Sequence, residues 1–317
     1  MIRFPLSAVA AICLTVLMAS NANAQIDYNA IQIITEKIGP NLYILSGSAG
    51  SDQNHQDAAG GRIGVLAGPD GILMVDSQYG QISEKVLAAV RNISAAPIKV
   101  LVNTHVHIDH TGGNAFFAKR GATIYAHDEL REEMLHPPAP GQPRDPAGLP
   151  KVTYGLDSPI TINMDGEMID FIPVRAAHTG GDSIVRFRNA NVIMIGDFYR
   201  NFGYPFIDIA NGGSLQGMLD ALDMVMKLAG PDTKLVPGHG TIINRNDLVP
   251  YREMIIGVSD RVRQMVKSGA SLQQTLAAKP TAPFDAKVAG GLLPAGAAGT
   301  SADRFVSELY QQLNTAN

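Results

Sequence analysis

The segment "NTHVHIDHTGGN", residues 103–114, places His105, His107, Asp109 and His110 within six positions. The chain holds only eight histidines, so three of them beside one carboxylate form a concentration of metal-binding side chains rather than a scatter. They follow the apolar run "IKVLV" (98–102), which reads as a buried strand. The polar groups therefore stand at the carboxyl end of that strand. In an extended segment His105 and His107 project to one side, Asp109 continues the alternation and His110 turns the other way. One short loop is thus expected to face two neighbouring points. Neutral imidazole and carboxylate are ligands that suit zinc.

Three further positions follow the same pattern. His178 lies in "AAHTGGDS" after "DFIPVRA", Asp197 in "IMIGDF" after "NVIMI", and His239 in "LVPGHG" after "TKLV". Each is a polar residue ending an apolar strand with glycine nearby, where the backbone has room to turn sharply or pass close to a ligand. The four strand ends together offer five histidines and two aspartates, a donor set for two metal ions. His55, His127 and His136 lack this setting and read as surface or structural residues.

In the first half of the chain, short β-like runs ("IQIIT", "NLYILSG", "GRIGVLAG", "GILMVDS") come first, with "AGPDG" (67–71) as a hairpin turn. Helical spacing in "QISEKVLAAVRNI", "GGNAFFAKRG" and "DELREEML" then alternates with the strands "IKVLVNT" and "TIYAH". Residues 136–150 are proline-rich and read as a loop. The second half follows the same order, with strands first, then the helix "SLQGMLDALDMVMKLAG", then "TKLVPGHG", then helices from about residue 246. This pattern predicts a mixed sheet in each half, helices outside, and the two sheets packed face to face.

The order H-x-H-x-D-H, then His, then Asp, then His in a "PGHG" context resembles the metallo-β-lactamase-fold hydrolase superfamily over residues 31–239. The resemblance implies an α+β fold, a four-layer αββα sandwich. It implies that His105, His107 and His178 hold one Zn2+, that Asp109, His110 and His239 hold a second, and that Asp197 bridges the pair. Asp76, in "ILMVDS", occupies the position of an aspartate that supports the ligands in the family. Two zinc ions ~3.5–4 Å apart share a water and lower its pKa toward ~7, so that a bridging hydroxide attacks a carbonyl, with Asp109 orienting it and accepting a proton. The reaction expected is hydrolysis of an ester, thioester, lactone, amide or β-lactam.

A bridging aspartate is typical, within that superfamily, of thioesterases resembling glyoxalase II, of lactonases and of phosphodiesterases; the β-lactamases proper tend to carry Cys or Ser there. Against this, Arg200 stands three residues after Asp197, near where one β-lactamase branch puts a cation for the substrate carboxylate, and Arg suits bidentate carboxylate binding. Tyr199, Phe202, Tyr204 and Phe206 make an aromatic-rich loop after Asp197, expected to wall an apolar or cyclic substrate. Residues 47–61, polar and glycine-rich, are expected to flap over the site. The rival readings are a mononuclear-iron enzyme resembling persulfide dioxygenases, which shares H-x-H-x-D-H, and a non-catalytic metal-binding protein. A complete second ligand set argues against both.

Composition bounds the rest. A net charge of −4 with no basic tract argues against a nucleic-acid partner. Arg3, the apolar core at 6–19 and "SNANA" before Gln25 have the three parts of a secretory signal, too short in its apolar run to span a bilayer. The lone Cys13 lies inside that signal, so after cleavage every metal ligand is N or O and no disulfide forms. The expected organisation is a signal peptide at 1–24 cleaved after Ala24, a catalytic domain at 25–245, and a helical extension at 246–317 packed on the same domain. The expected product is periplasmic or secreted, without a stable membrane anchor, and acts on a small-molecule substrate.

Overall fold

In the computed structural model, side-chain alternation along the strands separates the apolar residues into three layers. The structure describes residues 26–48, 60–138, 144–293 and 299–315; the signal-like leader, His55 and most of the 47–61 segment lie outside the described residues. The first sheet runs in chain order: β1 (Gln32–Lys37), β2 (Leu42–Ser48), β3 (Ile63–Gly68), β4 (Gly71–Val75), β5 (Ile98–Val102), β6 (Thr123–His127) and β7 (Val152–Tyr154). Its first four strands are antiparallel, and β4 to β7 are parallel. The second sheet holds β8 (Ile160–Met164), β9 (Glu167–Pro173), β10 (Ser183–Phe187), β11 (Val192–Gly196) and β12 (Lys234–Pro237), again side by side in chain order. Only its β11–β12 pair is parallel. The helices are α1 (Ser83–Ile93), α2 (Ile108–Thr111), α3 (Asn114–Ala118), α4 (Asp128–Leu135), α5 (Leu215–Leu228), α6 (Arg245–Lys267), α7 (Leu272–Ala277) and α8 (Ser301–Thr315).

On β4, Ile72 and Met74 face the α1 and α3 side, while Leu73 and Val75 face the second sheet. On β11, Val192 and Met194 meet the first sheet, while Ile193 and Ile195 meet α5, α6 and α8. Successive side chains on opposite faces, both apolar, are what a strand covered on both sides requires. The result is the four-layer αββα sandwich expected from the sequence. The Gly68–Gly71 pair closes the β3–β4 hairpin at the "AGPDG" turn. In the C-terminal segment, Tyr251, Met254, Ile255 and Val258 of α6 and Phe305, Val306 and Leu309 of α8 enter the same core as β10 and β11. No helix among the described residues is long and apolar enough to cross a membrane.

This topology positions the site. The parallel pairs β4–β5 and β11–β12 end at the same rim of the sandwich, and the candidate ligands sit just past those ends. One expectation is corrected here. Strand β5 ends at Val102, residues 104–106 bend, and His107 (φ −59°, ψ 149°) leads into a helical turn at 108–111. Asp109 and His110 project from that turn and not by strand alternation. The amides of His110, Thr111 and Gly112 sit over the His107 and Ile108 carbonyls.

Candidate metal centre

Three overlapping groups of donors converge: His105, His107 and His178; His105, His110 and Asp197; and Asp109, His110 and His239. Within each group the ligating atoms lie within 4.8 Å of one another. His178 Nε2 is 3.1 Å from His107 Nδ1, and His110 Nε2 is 3.4 Å from His239 Nε2. Asp109 Oδ2 is 3.0 Å from His239 Nε2. Asp197 lies between the groups. Its Oδ2 is 4.0, 3.9 and 3.4 Å from the Nε2 atoms of His105, His178 and His239, and its Oδ1 is 3.4 Å from His110 Nε2. Donors at ~2.0–2.1 Å around a tetrahedral ion stand ~3.3–3.4 Å apart, so these spacings bracket a coordination shell.

The outer nitrogens settle which inner nitrogens carry lone pairs. His178 Nδ1 is 2.7 Å from the Phe206 carbonyl, which only accepts, so Nδ1 carries the hydrogen. His107 Nε2 donates to Asp208 Oδ2 at 2.8 Å, and His110 Nδ1 donates to Asp76 Oδ2 at 2.7 Å. Thr104 Oγ1 gives its hydrogen to Asp76 Oδ2 at 2.6 Å and so accepts from His105 Nδ1 at 3.1 Å. The inner atoms are therefore Nε2 of His105, His110 and His178 and Nδ1 of His107, all lone-pair donors aimed at one another. His105 Nε2 and Asp197 Oδ1 are buried without a hydrogen-bond partner. Facing lone pairs in a buried site repel unless a cation stands between them, and a buried polar atom left unpaired costs about 1–3 kcal/mol. The donor set fits divalent metal cations.

Electrostatics agree with that assignment. Burial, reinforced by His110, holds the His105 imidazole well below its ordinary value, and burial with the nearby His107 pushes His178 down to about 3. Both are neutral ligands at physiological pH. Burial opposes ionisation of Asp197, but His239, His110 and His105 outweigh it and keep the carboxyl well below the usual range. For Asp109 burial is likewise overcome, by His110 and His239. Conversely Asp197 and its fellow carboxylates lift His110 and His239 against burial. The surroundings are built for concentrated positive charge.

Asp76 accepts from the Thr104 amide at 2.7 Å as well as from Thr104 Oγ1 and His110. It sits at φ 63°, a left-handed conformation that aspartate tolerates better than most residues. Glycines let backbone crowd the ligands. A Cβ on Gly61 or Gly238 would run into the His110 ring.

The aromatic loop after Asp197 divides. Tyr204 is fully buried, stacks 6.0 Å from Phe305 and donates to Asp285 Oδ1 at 2.6 Å. Tyr199 is buried against Tyr251 at 4.6 Å. Both belong to the α6 and α8 core; Tyr204 has no exposed surface, which corrects its expected place on a substrate wall, while Tyr199 also lines a cavity beside Arg200. Phe206 does stand at the site, stacked 5.7 Å from His107 and edge-on to His178 at 5.3 Å. Phe202 lies beneath Gly290. Arg200 is half-buried, its Nε has no hydrogen-bond partner, and its charge acts to lower the neighbouring Glu308 carboxyl. His127 is a buried helix cap, its Nδ1 accepting from the Glu129 amide at 3.0 Å, while His136 is exposed.

Asp208 is the residue that sequence reading missed. It anchors His107 from 11 positions beyond Asp197, inside the aromatic loop, where nothing in the local pattern marks it. Burial raises its carboxyl, but the bonds from His107 and Asn211 win and hold it at about 2.

A family model described as the metallo-beta-lactamase superfamily matches residues 58–239. The 2,4-dinitroanisole O-demethylase subunit alpha of Nocardioides sp. (strain JS1661) is 25% identical over 135 residues, 42% of this chain and 39% of that protein. The linear primary-alkylsulfatase of Pseudomonas sp. (strain ATCC 19151) is 37% identical over 78 residues, 22% of this chain and 15% of that protein. These matches therefore span less than half of either relative. Among solved structures, a metallo-beta-lactamase from Pontibacter korlensis superposes with a TM-score of 0.58 at 16% identity, covering 71% of this chain and 99% of that one. A stereoselective inverting sec-alkylsulfatase from Pseudomonas sp. superposes with a TM-score of 0.63 at 16% identity, covering 88% of this chain and 50% of that one. At these identities the structural likeness is one of fold.

Proposed function

The chain belongs to the metallo-beta-lactamase superfamily, and we propose that it is a hydrolase that opens an ester-type bond of a small molecule at a centre of two Zn2+ ions. The convergence of seven N and O donors with inward lone pairs carries this reading. His105, His107 and His178 would hold one ion, Asp109, His110 and His239 the other, with Asp197 between them. Bound there, the pair supplies Lewis acidity that polarises the scissile group and makes water more acidic.

The chain's own residues account for the remaining steps. Asp109 keeps 18% of its side chain exposed, against 6% for Asp197, so Asp109 is the carboxylate that reaches the solvent side. Its Oδ2 orients the attacking water and takes its proton as the water oxygen bonds to the carbonyl carbon. The same proton then passes to the leaving alkoxide or thiolate. Asp197, buried and ionised, offsets positive charge in the centre. Phe206 covers the His107 and His178 rings and shields that flank from water.

Sulfate-ester hydrolysis is the second reading. It is favoured by the 37% identical stretch shared with the linear primary-alkylsulfatase. The deciding experiment measures turnover of a chromogenic cephalosporin, a 4-nitrophenyl ester, a lactone and a medium-chain alkyl sulfate by protein loaded with two zinc ions, with a chelated control. Chelator-sensitive turnover that His178→Ala abolishes supports the proposal, and the preferred substrate separates its two forms. No turnover of any substrate, with zinc bound at two per chain, refutes it and leaves the metal-binding reading. The leader at 1–24 supports export; N-terminal sequencing of cell-fractionated protein beginning at Gln25 is the expected result.

A further inference from the structure

The C-terminal helix α8 lies beyond the family match at 58–239, yet it grips the loop that supports the metal centre. Ser301, Arg304, Glu308 and Gln312 are spaced three, four and four residues apart, which sets them along one face of the helix. The Ser301 hydroxyl accepts from the Tyr204 amide at 3.0 Å, and Arg304 donates to the Tyr204 and Pro205 carbonyls at 3.2 and 3.3 Å. Glu308 Oε2 accepts from the Ile207 amide at 3.0 Å. Gln312 accepts from the Leu215 amide at 2.8 Å and donates to the Gly213 carbonyl at 3.2 Å.

The Glu308 contact reaches the metal centre. The Ile207 N–H and the Phe206 carbonyl are the two ends of one peptide group, and the carbonyl end accepts from His178 Nδ1 at 2.7 Å. Glu308 and His178 therefore hold the same peptide from opposite sides. A peptide whose N–H is held by a carboxylate is a better acceptor at its carbonyl, because hydrogen bonds in a chain polarise one another. The other ligand histidines show the pattern. His107 and His110 donate to Asp208 and Asp76 directly, and His105 reaches Asp76 through the Thr104 hydroxyl. His178 meets a carbonyl instead, and across that one peptide stands Glu308. Arg304 Nε is 3.3 Å from Glu308 Oε1, and the same guanidinium lies 4.5 Å over the Phe206 ring, so the carboxylate and the residue that bears the carbonyl are fixed together.

We propose that Glu308 is the carboxylate partner of His178, acting through the Phe206–Ile207 peptide to fix the imidazole and strengthen its Nε2 as a metal donor. A carboxylate behind the outer nitrogen of a ligating histidine locks its tautomer and raises its basicity. Glu308 is thus a positioning residue for the centre, supplied by the C-terminal helix. Burial lifts its carboxyl to about 7, while the Ile207 amide and Arg304 draw it down. The inference rests on His178 as a metal ligand and is independent of the reaction proposed.

The test is NMR of the zinc-loaded full chain with isotope-labelled histidine, recorded at about pH 8.5, above the Glu308 value and so with its carboxyl ionised. The His178 Nδ1–H signal is compared with that of His110, whose Nδ1–H is held by Asp76. In Glu308→Ala the His178 proton is expected to move upfield and to exchange with water about tenfold faster, with the His110 proton unchanged. A chromophoric chelator should then remove one of the two zinc ions about tenfold more readily. Glu308→Gln, closer in shape, should shift the same proton in the same direction by less, and it decides the matter if the alanine variant does not fold. Gln312→Ala loosens the same helix from the same loop without touching the Phe206–Ile207 peptide, and it should leave the His178 proton unchanged. An unmoved His178 proton in the folded Glu308 variants, or an equal effect of Gln312→Ala, overturns the proposal while the metal centre stands. Fewer than two zinc ions on the parent chain overturns the centre itself, and this inference with it.

Discussion

Removing the Asp208 carboxylate tests the ligand geometry from outside the ligand set. The bond from His107 Nε2 to Asp208 Oδ2 is 2.8 Å and holds the ring with Nδ1 facing inward. Without it His107 regains both tautomers and the freedom to rotate. Losing a partner that orients a metal-bound histidine typically lowers metal affinity by about 10–100-fold, or ~1.4–2.7 kcal/mol. Against burial, the bond from His107 and those from Asn211 hold the Asp208 carboxyl at about 2, so the acceptor facing His107 is ionised. Asp208 also accepts from Asn211 Nδ2 at 2.7 Å and from the Asn211 amide at 3.2 Å, so alanine there removes a turn contact of about 1 kcal/mol as well. Asp208→Asn keeps one oxygen to accept from His107 but loses the charge and turns an NH2, which only donates, toward the Asn211 amide. Zinc competition against a chromophoric chelator should show the zinc site that contains His107 loosened ~10-fold in Asp208→Asn and ~100-fold in Asp208→Ala. Melting of the chelated protein separates the stability loss from the affinity loss. Unchanged zinc affinity in Asp208→Ala would refute the claim that this bond fixes His107.

Gly238→Ala should strip zinc while the chain stays folded, as read by metal content and circular dichroism. A Cβ there would collide with Asp197 Oδ1 and stand 2.7 Å from His110 Cε1, while Gly238 is pinned by its amide bond to the Gly196 carbonyl at 2.8 Å. Tyr204→Ala should cost about 3–5 kcal/mol of stability, the range for emptying a buried aromatic site, and leave KM unchanged for any substrate; a raised KM in folded protein would return Tyr204 to the substrate wall. Burial, with Asp182 nearby, raises the Glu133 carboxyl from 4.5 to about 8. The native state then keeps a proton that the unfolded chain releases above 4.5, so stability falls as pH rises from about 4.5 to 8. Glu133→Gln should flatten that decline in melting temperature, and an equally steep decline in the variant would count against the buried protonated carboxyl.

The crowded segment at 105–110 and the strand-end positions of His178, Asp197 and His239 were readable in the sequence because of where they stand. Polar residues directly after apolar runs have one place to be, the rim where the strands stop. The order of strands and helices, repeated in each half, likewise announced two sheets packed face to face with helices outside. Other features depend on contacts between distant segments, and no local pattern encodes those. Tyr204 and Tyr199 looked like substrate contacts by their nearness to Asp197, but α8 and α6 arrive from 50 to 100 residues away and take them into the core. Asp208 looked like a loop residue until the fold set it against His107, 101 positions earlier. Which nitrogen of each histidine faces inward is also a tertiary matter, because it is decided by the partner on the outer nitrogen. Residue identity and order alone established which side chains could bind metal and the strand ends that carry them. The packing of the two sheets and the C-terminal helices decided which atoms meet, because hydrogen-bond geometry and burial exist only once those surfaces are in contact.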